Sequence, residues 1–195
     1  MKLGRKLKFI IRLLPKKIRP AYYKNISSIF RSKLNRNKIY EKLNKYFYFH
    51  LPFSLIKHKK FFSKDSRGFG EDPFHSMWYL LFLEFKPKNC LEIGVYRGQM
   101  ITLWSLISKQ LNYDANIAGL APFEAASDSS SEYLKNIDYL EDTNKNHEYF
   151  NLKKPEYCIE YSTSENAKKF IESRKWDLIF IDGNHDYEIV KSDFE

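Results

Sequence analysis

Short apolar runs alternate with stretches of helical periodicity from about residue 66 to the end of the chain. Four of these runs have the length and composition of buried parallel strands. They are CLEIGV from Cys90, IAGLA from Ile117, EYCIEY from Glu156 and WDLIFID from Trp176. Helical spacing of apolar residues predicts helices over about residues 73–85, 99–111, 131–150, 164–174 and 185–195, with Ser164 as an N-cap. Strands that alternate with helices in this way predict an α/β fold with a parallel sheet.

The first 65 residues follow a different pattern, which is rich in basic and aromatic side chains. Within MKLGRKLKFIIRLL, apolar and basic residues fall on opposite faces of a helical wheel, which predicts an amphipathic helix. The apolar face holds Leu3, Leu7, Ile10, Ile11 and Leu14, and the basic face holds Lys2, Arg5, Lys6, Lys8 and Arg12. Pro15 is expected to end the helix near Leu14. We therefore divide the chain into a basic helical segment, residues 1–65, and an α/β domain, residues 66–195.

Charge is distributed as unevenly as hydropathy. Residues 1–60 contain 18 Lys and Arg and one acid, Glu41, whereas the other 135 residues contain 15 basic and 23 acidic side chains. A basic amphipathic helix is typical of peripheral contact with an anionic membrane. Packing of the helix on the chain's own surface is a second interpretation. Nucleic-acid binding through interleaved lysines and aromatics is a third, and the sequence favours it least.

The two cysteines, Cys90 and Cys158, lie within predicted strands and lack the spacing of metal ligands. We expect buried thiols rather than a disulfide, as in the reducing cytoplasm. The apolar run of the N-terminal helix is too short to span a bilayer. The expected location is therefore cytoplasmic, at the inner face of the membrane if the basic segment binds lipid.

The stretch NCLEIGVYRGQM joins the first predicted strand to the helix that follows it. Glu92, Gly94 and Gly98 form an E-x-G-x-x-x-G pattern, in which the glycines let the backbone approach a ligand and a side chain at Gly94 would occupy the ligand's path. Tyr96 replaces the middle glycine of the dinucleotide-binding pattern. This disfavours a pyrophosphate and favours a nucleoside ligand without phosphates. A turn whose glycines serve packing alone is the alternative.

The segment LEIGVYRG resembles the first motif of the class I S-adenosylmethionine-dependent methyltransferases. The segment DLIFIDGNHDYEIVKSDFE is similar to the fourth-strand motif of a bacterial branch associated with the biosynthesis of polysaccharides and other glycans. The resemblance covers residues 73–195. It implies a Rossmann-like α/β sheet, with S-adenosylmethionine as the cofactor.

The resemblance also implies which residues contact this cofactor. These are Glu92, Gly94, Tyr96, Gly98, Ser162, Thr163 and Asp182, of which Ser162 and Thr163 would flank the adenine. The family usually has an acid at the end of its second strand that binds both ribose hydroxyls. Ala121 stands at that position here, so we expect Glu124 or Asp128 of the following loop to replace it.

Asp182 and His185 are the candidate catalytic residues. The sequence IDGNH brings a carboxylate and an imidazole to the carboxyl edge of the predicted sheet. Methyl transfer to a hydroxyl requires removal of the hydroxyl proton, and an imidazole that titrates near neutral pH can accept it. Asp182 would orient His185, or would hold a divalent metal that acidifies the hydroxyl. Alternatively, both residues only cap the helix that starts at Asp186.

Two functions of different classes remain open. The first is O-methylation of a sugar or glycoconjugate hydroxyl by an S-adenosylmethionine-dependent enzyme. The second is a catalytically inactive fragment that acts as a binding or interaction module. The family's sheet has seven strands, and the four predicted here correspond to its first four, which predicts a truncated domain, or one completed by another chain or a second copy. A nicotinamide oxidoreductase and a nucleic-acid methyltransferase are disfavoured, because Tyr96 replaces a glycine and Asp-Gly-Asn-His follows the fourth strand.

Overall fold

The structure is a computed structural model that describes residues 5–19, 22–30, 35–126 and 133–195. Lys2, Leu3 and Asp128 lie outside these ranges, as do the side chains of residues 5–7 and 9. The helices are α1 (Arg5–Leu13), α2 (Ser27–Phe30), α3 (Arg36–Phe49), α4 (Phe53–Phe62), α5 (Asp72–Phe85), α6 (Gln99–Gln110), α7 (Tyr139–Tyr149), α8 (Glu165–Glu172) and α9 (Tyr187–Phe194). The strands are β1 (Asn89–Ile93), β2 (Asn116–Leu120), β3 (Glu156–Cys158) and β4 (Leu178–Ile181).

The C-terminal unit, residues 87–195, is built on a parallel sheet of strand order β3-β2-β1-β4. Leu91 of β1 lies opposite Ala118 of β2 on one side and Ile179 of β4 on the other. This order confirms the predicted α/β fold and matches a Rossmann-like sheet. All four strands end at one edge of the sheet, so the loops that follow them meet there.

Two of the predicted elements have different bounds in the structure. Helix α7 begins at Tyr139, because the side chain of Asp138 accepts a hydrogen bond from the Glu141 backbone N–H at 2.8 Å and so caps it. The prediction of a helix from residue 131 was therefore wrong, and residues 131–132 lie outside the described ranges. Strand β3 is also shorter than the run EYCIEY, and Tyr161 belongs to the loop after it.

One hydrophobic cluster of this unit lies on the face of the sheet that α8 covers. Its buried members are Leu91, Ile93, Ala118, Leu120, Cys158 and Ala167. Helix α8 begins at the predicted N-cap, where Ser164 Oγ accepts a hydrogen bond from the Ala167 backbone N–H at 3.1 Å. Cys90 and Cys158 are free, buried thiols, as predicted. Burial raises the pKa of Cys90 to about 12, so this thiol is uncharged at neutral pH.

The N-terminal unit comprises residues 1–86 and is helical where the structure describes it. Helix α5 belongs to this unit and packs against α3. The boundary between the units therefore falls between Lys86 and Pro87, later than the sequence division after residue 65. The change in composition near residue 66 marks a loop inside the N-terminal unit rather than its end.

Helix α1 packs on α3 through its charged side. The Arg12 guanidinium donates hydrogen bonds to the carbonyls of Phe47, Tyr48 and Leu51, at 3.0, 2.7 and 3.0 Å. These carbonyls belong to the last turn of α3 and the residues after it, which have no partner within the helix. Of the interpretations of the basic helix, packing on the chain's own surface therefore holds for Arg12. No described helix has both the length and the apolar composition needed to cross a membrane.

Four histidines of the chain are buried. They are His50, His58, His75 and His147. The His58 Nδ1 and His75 Nε2 atoms lie 3.0 Å apart, within hydrogen-bonding distance. Burial lowers the pKa of His75 to about 3, and it lowers the pKa of His147 to about 4 against the opposing effect of a hydrogen bond with the Thr143 backbone. Both side chains are therefore neutral in the folded chain at mildly acidic pH.

We expect the chain to lose stability as the pH falls below about 6.5, the ordinary pKa of histidine. Below that pH the two histidines bind protons in the unfolded chain but stay neutral in the folded chain, so protonation favours unfolding. Each of the two histidines should lower the free energy of unfolding by about 1.4 kcal/mol per pH unit, down to pH about 3 for His75 and about 4 for His147. Urea titrations between pH 4.5 and 7.5 would measure this slope. A His75→Phe variant with the slope of the original chain would contradict the assignment.

Candidate cofactor site

A cavity of about 290 Å³ opens at the carboxyl ends of the strands. Its lining comes from the loops that follow the strands, together with Tyr133 before α7 and Ile189 on α9. The other lining residues are Ile93, Gly94, Val95, Leu120, Ala121, Pro122, Phe123, Glu124, Ala126, Tyr161, Ser162, Thr163, Gly183 and Asn184. A larger, more polar cavity of about 760 Å³ lies toward the amino ends of β2 and β3. Because parallel α/β sheets bind ligands at the carboxyl ends of their strands, the smaller cavity is the candidate site.

Gly94 brings the loop after β1 against the loop after β4. Its φ of +96° lies in the left-handed region, and an added Cβ would overlap the Cα and N of Gly183 and the carbonyl carbon of Asp182. The sequence-based argument placed such a side chain in the path of the ligand. The structure instead directs it into the neighbouring backbone, although Gly94 itself lines the cavity. Gly94 is therefore required for the contact between these two turns as well as for space in the site.

The rest of this loop is fastened to α7. Gly98 has a φ of +76°, and a Cβ there would lie 2.6 Å from Thr143 Cγ2. Beside it, Arg97 Nε donates to Asp142 Oδ2 at 2.7 Å, and the side chains are only 7% and 22% exposed. Asn146 Nδ2 donates to the Arg97 carbonyl at 2.9 Å. Arg97 is thus used to hold the loop against α7, and it does not line the cavity.

Tyr96 stands in an aromatic cluster next to the cavity. Its ring contacts Tyr133 edge-on, with centroids 5.4 Å apart, and Tyr139 at the same distance. Tyr133 lines the cavity, while Tyr96 and Tyr139 lie behind it. Burial, with a smaller contribution from Tyr96, raises the pKa of Tyr139 to about 12. The cluster therefore presents the aromatic surface of Tyr133 toward the site.

Glu92 lies on the face of the sheet opposite the α8 core, beneath the loop and outside the cavity lining. Its carboxyl is buried, and its Oε2 has no hydrogen-bond partner among the described residues. Burial raises its pKa well above the ordinary value, and the nearby charge of Asp182 raises it further. A hydrogen bond from the backbone of Ile101 on α6 acts in the opposite direction. The carboxyl thus links β1 to the first turn of α6.

The loops after β2 and β3 carry the polar groups that face the cavity. Ser162 and Thr163 line it. Ala121 also lines it, so no acid stands at the end of β2, whereas Glu124 reaches the cavity from the loop. The Tyr161 hydroxyl donates a hydrogen bond to Glu124 Oε1, and this bond raises the pKa of Tyr161. Tyr161 and Tyr133 were absent from the sequence-predicted set, because the sequence placed Tyr161 in the third strand and Tyr133 in the helix predicted over residues 131–150.

Asp182 and His185 flank the cavity at the turn after β4, where Gly183 and Asn184 line it directly. The Asp182 backbone N–H donates to the Ile93 carbonyl at 2.8 Å, which fixes this turn beside β1. Loss of solvation raises the pKa of Asp182, and the proximity of His185 opposes this shift. The N-cap position of α9 is Asp186, whose backbone N–H donates a hydrogen bond to Asn184 Oδ1 at 2.6 Å.

No group of three or more His, Cys, Asp or Glu side chains that could hold a metal ion occurs in the described part of the chain. Asp182 and His185 are two possible ligands and do not by themselves complete such a group, so we derive no step through a metal.

A family model described as a methyltransferase domain matches residues 91–195, which is more than half of the chain. The chain belongs to this methyltransferase family. The match begins in β1 and ends with α9. It therefore contains the loops that follow the strands and line the cavity.

A solved structure shares the fold of this methyltransferase domain. The structure of the methyltransferase PaMTH1 from Podospora anserina, bound to S-adenosylhomocysteine, aligns with 82% of this chain at 21% identity and a TM-score of 0.53. This chain covers 64% of the PaMTH1 chain. The apo structure of CmcI-N160 aligns with 60% of this chain and 42% of its own, at 20% identity and a TM-score of 0.36. The curated proteins contain no match to the chain.

The contact at Gly94 of the methyltransferase domain can be tested by adding one methyl group. Gly94→Ala should lower the free energy of unfolding by more than the roughly 1–3 kcal/mol that a left-handed non-glycine residue costs, because backbone atoms block the Cβ. Gly70→Ala is the matched control, with a φ of +84° and its nearest atom at 3.6 Å. Chemical denaturation would compare the two. Equal destabilisation would show that the approach to Gly183 adds no constraint.

The Arg97–Asp142 pair generates a second prediction. Asp142→Asn removes the charge that compensates a buried guanidinium, and we expect a loss of about 2 kcal/mol in unfolding free energy. The full cost of breaking a buried pair is larger, but Asp142 keeps some contact with water. Glu141→Gln breaks an exposed pair with Lys145 in the same helix and should leave stability unchanged. If both variants behaved alike in thermal and urea unfolding, the buried pair would not anchor the loop.

Proposed function

We propose that the chain is an S-adenosylmethionine-dependent methyltransferase that methylates a hydroxyl group of a sugar or glycoconjugate. The observation that carries the cofactor assignment is the cavity at the carboxyl ends of the strands in a chain of the methyltransferase family. PaMTH1, which shares the fold, is bound to the demethylated product of this cofactor. The glycan acceptor rests on the resemblance of DLIFIDGNHDYEIVKSDFE to a branch associated with glycan biosynthesis.

The residues around the cavity fit a nucleoside ligand. Its volume of about 290 Å³ is at the lower end of the range of about 300–1,000 Å³ that small-molecule sites occupy. Glu124 supplies a carboxylate that can accept hydrogen bonds from two ribose hydroxyls. It would replace the acid that the family has at the position of Ala121. Ser162 and Thr163 supply hydroxyls on the side where adenine would lie.

Tyr161 contributes to this site by positioning Glu124. Its hydroxyl donates a hydrogen bond to one carboxylate oxygen, Oε1, and the remaining lone pairs of the carboxylate can accept hydrogen bonds from a ligand. A carboxylate on an exposed loop loses side-chain entropy when it binds, and a hydrogen bond that already restrains it reduces that loss. Asp128, the other candidate acid, lies outside the described residues.

The chemistry at the turn after β4 requires a base. S-adenosylmethionine supplies a methyl group on a positively charged sulfur. As the acceptor oxygen bonds to the methyl carbon, the carbon–sulfur bond breaks and its electrons remain on sulfur, so the hydroxyl proton must leave. His185 accepts that proton, and Asp182 stabilises the resulting imidazolium. General-base catalysis of this kind contributes about 10²–10⁴-fold in rate.

A calorimetric titration with S-adenosylhomocysteine, with NAD as the control ligand, tests the cofactor assignment. We expect binding of the first ligand alone. Glu124→Gln should weaken it by about 10- to 100-fold, because a hydrogen bond to a charged group contributes about 1.5–3 kcal/mol. Glu172→Gln makes the same chemical change on the exposed surface of α8 and should leave the affinity unchanged.

Two results would overturn parts of this proposal. A folded chain that binds NAD, or that binds neither ligand, would remove the cofactor assignment. Equal affinities of the Glu124→Gln and Glu172→Gln variants would instead keep the cofactor and exclude Glu124 as its ribose contact.

A further inference from the structure

The side of α1 that faces away from α3 is apolar and exposed. Together with the turn after the helix it presents four large aliphatic side chains, which are between 41% and 70% exposed. These residues, which we call the outer face, are Ile10, Leu13, Leu14 and Ile18. An amphipathic helix ordinarily buries its apolar side and leaves its charged side in water. In the described part of α1, Ile10 and Leu13 are instead exposed, while Ile11 and the cations Lys8 and Arg12 are half-buried.

The cause lies on the opposite side of the helix, where the cations are engaged by protein. Lys8 Nζ lies over the ring of Tyr48, 3.4 Å from its centroid. Arg12 caps the end of α3, as described above. Arg19, after the helix, donates from Nη1 to the Phe49 carbonyl at 3.2 Å and from Nε to the Leu14 carbonyl at 2.7 Å. These contacts fix the orientation of α1 and direct its aliphatic side chains outward.

The charge beside the outer face is positive. Lys16 and Lys17 are exposed and lie between Leu14 and Ile18. The single acid in residues 1–60, Glu41, pairs with Lys45 at 2.5 Å. Therefore no carboxylate in this segment offsets the charge of the two lysines.

This combination selects among the surfaces that could cover the outer face. A second copy would bring its own Lys16 and Lys17 against these, with like charges opposed. Nucleic acid would attract the lysines, but its phosphates offer no apolar environment to leucine and isoleucine side chains. An anionic lipid surface provides both an apolar layer and negative head groups.

We infer that the outer face binds an anionic membrane surface, with its aliphatic side chains in the acyl boundary and Lys16 and Lys17 at the head groups. The contact differs from the one that the helical wheel suggests, because Lys8 and Arg12 take no part in it. It is also independent of the proposed enzymatic function.

Flotation of the full chain with vesicles tests the inference. We expect binding to vesicles that contain phosphatidylserine and little binding to vesicles of phosphatidylcholine alone. Leu13→Asp should reduce binding by at least about tenfold, because it places a charge in the acyl boundary. Phe69→Asp is the matched control, since Phe69 is also 70% exposed, and it should bind like the original chain. Lys16→Gln and Lys17→Gln should each weaken binding by about fivefold, as expected for about 1 kcal/mol per charge.

Circular dichroism of each variant establishes that it is folded, so that lost binding reports on the surface alone. Equal loss of binding in Leu13→Asp and Phe69→Asp would overturn the inference, and so would failure of the original chain to bind anionic vesicles. A dimer that Leu13→Asp converts to a monomer, without vesicle binding, would assign the outer face to a second copy. Oligonucleotide binding that Leu13→Asp abolishes, again without vesicle binding, would assign it to nucleic acid.

Discussion

The close approach of two backbone turns, at Gly94 and Gly183, is the constraint on which the candidate site depends. Strands β1 and β4 are neighbours, and the turns that leave them meet so closely that Gly94 has no room for a Cβ. The Asp182 N–H extends the β1–β4 ladder to the Ile93 carbonyl, immediately before Gly94. This contact holds the loop after β1 in place, and the same loop forms part of the cavity wall. Gly94 and Gly183 both line that cavity.

A turn held by backbone contact alone would still be able to shift along α7, and the chain prevents this with a buried ion pair. Arg97 and Asp142 connect the loop after β1 to the first turn of α7, while Asn146 binds the Arg97 carbonyl from the next turn. The pair is costly to bury unless its geometry is good. Its position between a ligand-facing loop and a helix is consistent with the fixing of geometry rather than with stability for its own sake. The arginine that follows Tyr96 in the motif thus has a structural partner forty-five residues later.

Much of this fold could be predicted from the sequence, because strands buried on both faces are continuous apolar runs with few alternatives. CLEIGV was recognisable for that reason, and WDLIFID has the same composition although β4 lies at the edge of the sheet and is only partly buried. The N-cap at Ser164 was recognisable from its residue type. The start of α7 was not, since Leu134 and Ile137 have helical spacing but lie in the loop before the cap at Asp138. Contacts between distant loops were also beyond the pattern. Nothing local in the sequence indicates that Tyr161 bonds to Glu124, or that the Cβ direction at Gly94 points to Gly183 rather than to a ligand.

The orientation of α1 shows why an amphipathic pattern predicts two faces but not which of them the protein covers. The wheel assigns Arg12 to a charged face, and charged faces are usually solvated. Yet a guanidinium has five N–H donors in a planar fork, and the carbonyls at the end of α3 are acceptors without helical partners. Three charge-assisted hydrogen bonds from one side chain outweigh the burial of a modest aliphatic stripe, because each satisfies a group that is expensive to leave unpaired. An arginine on the polar side of a short helix can therefore turn that side inward whenever the end of another helix lies within reach.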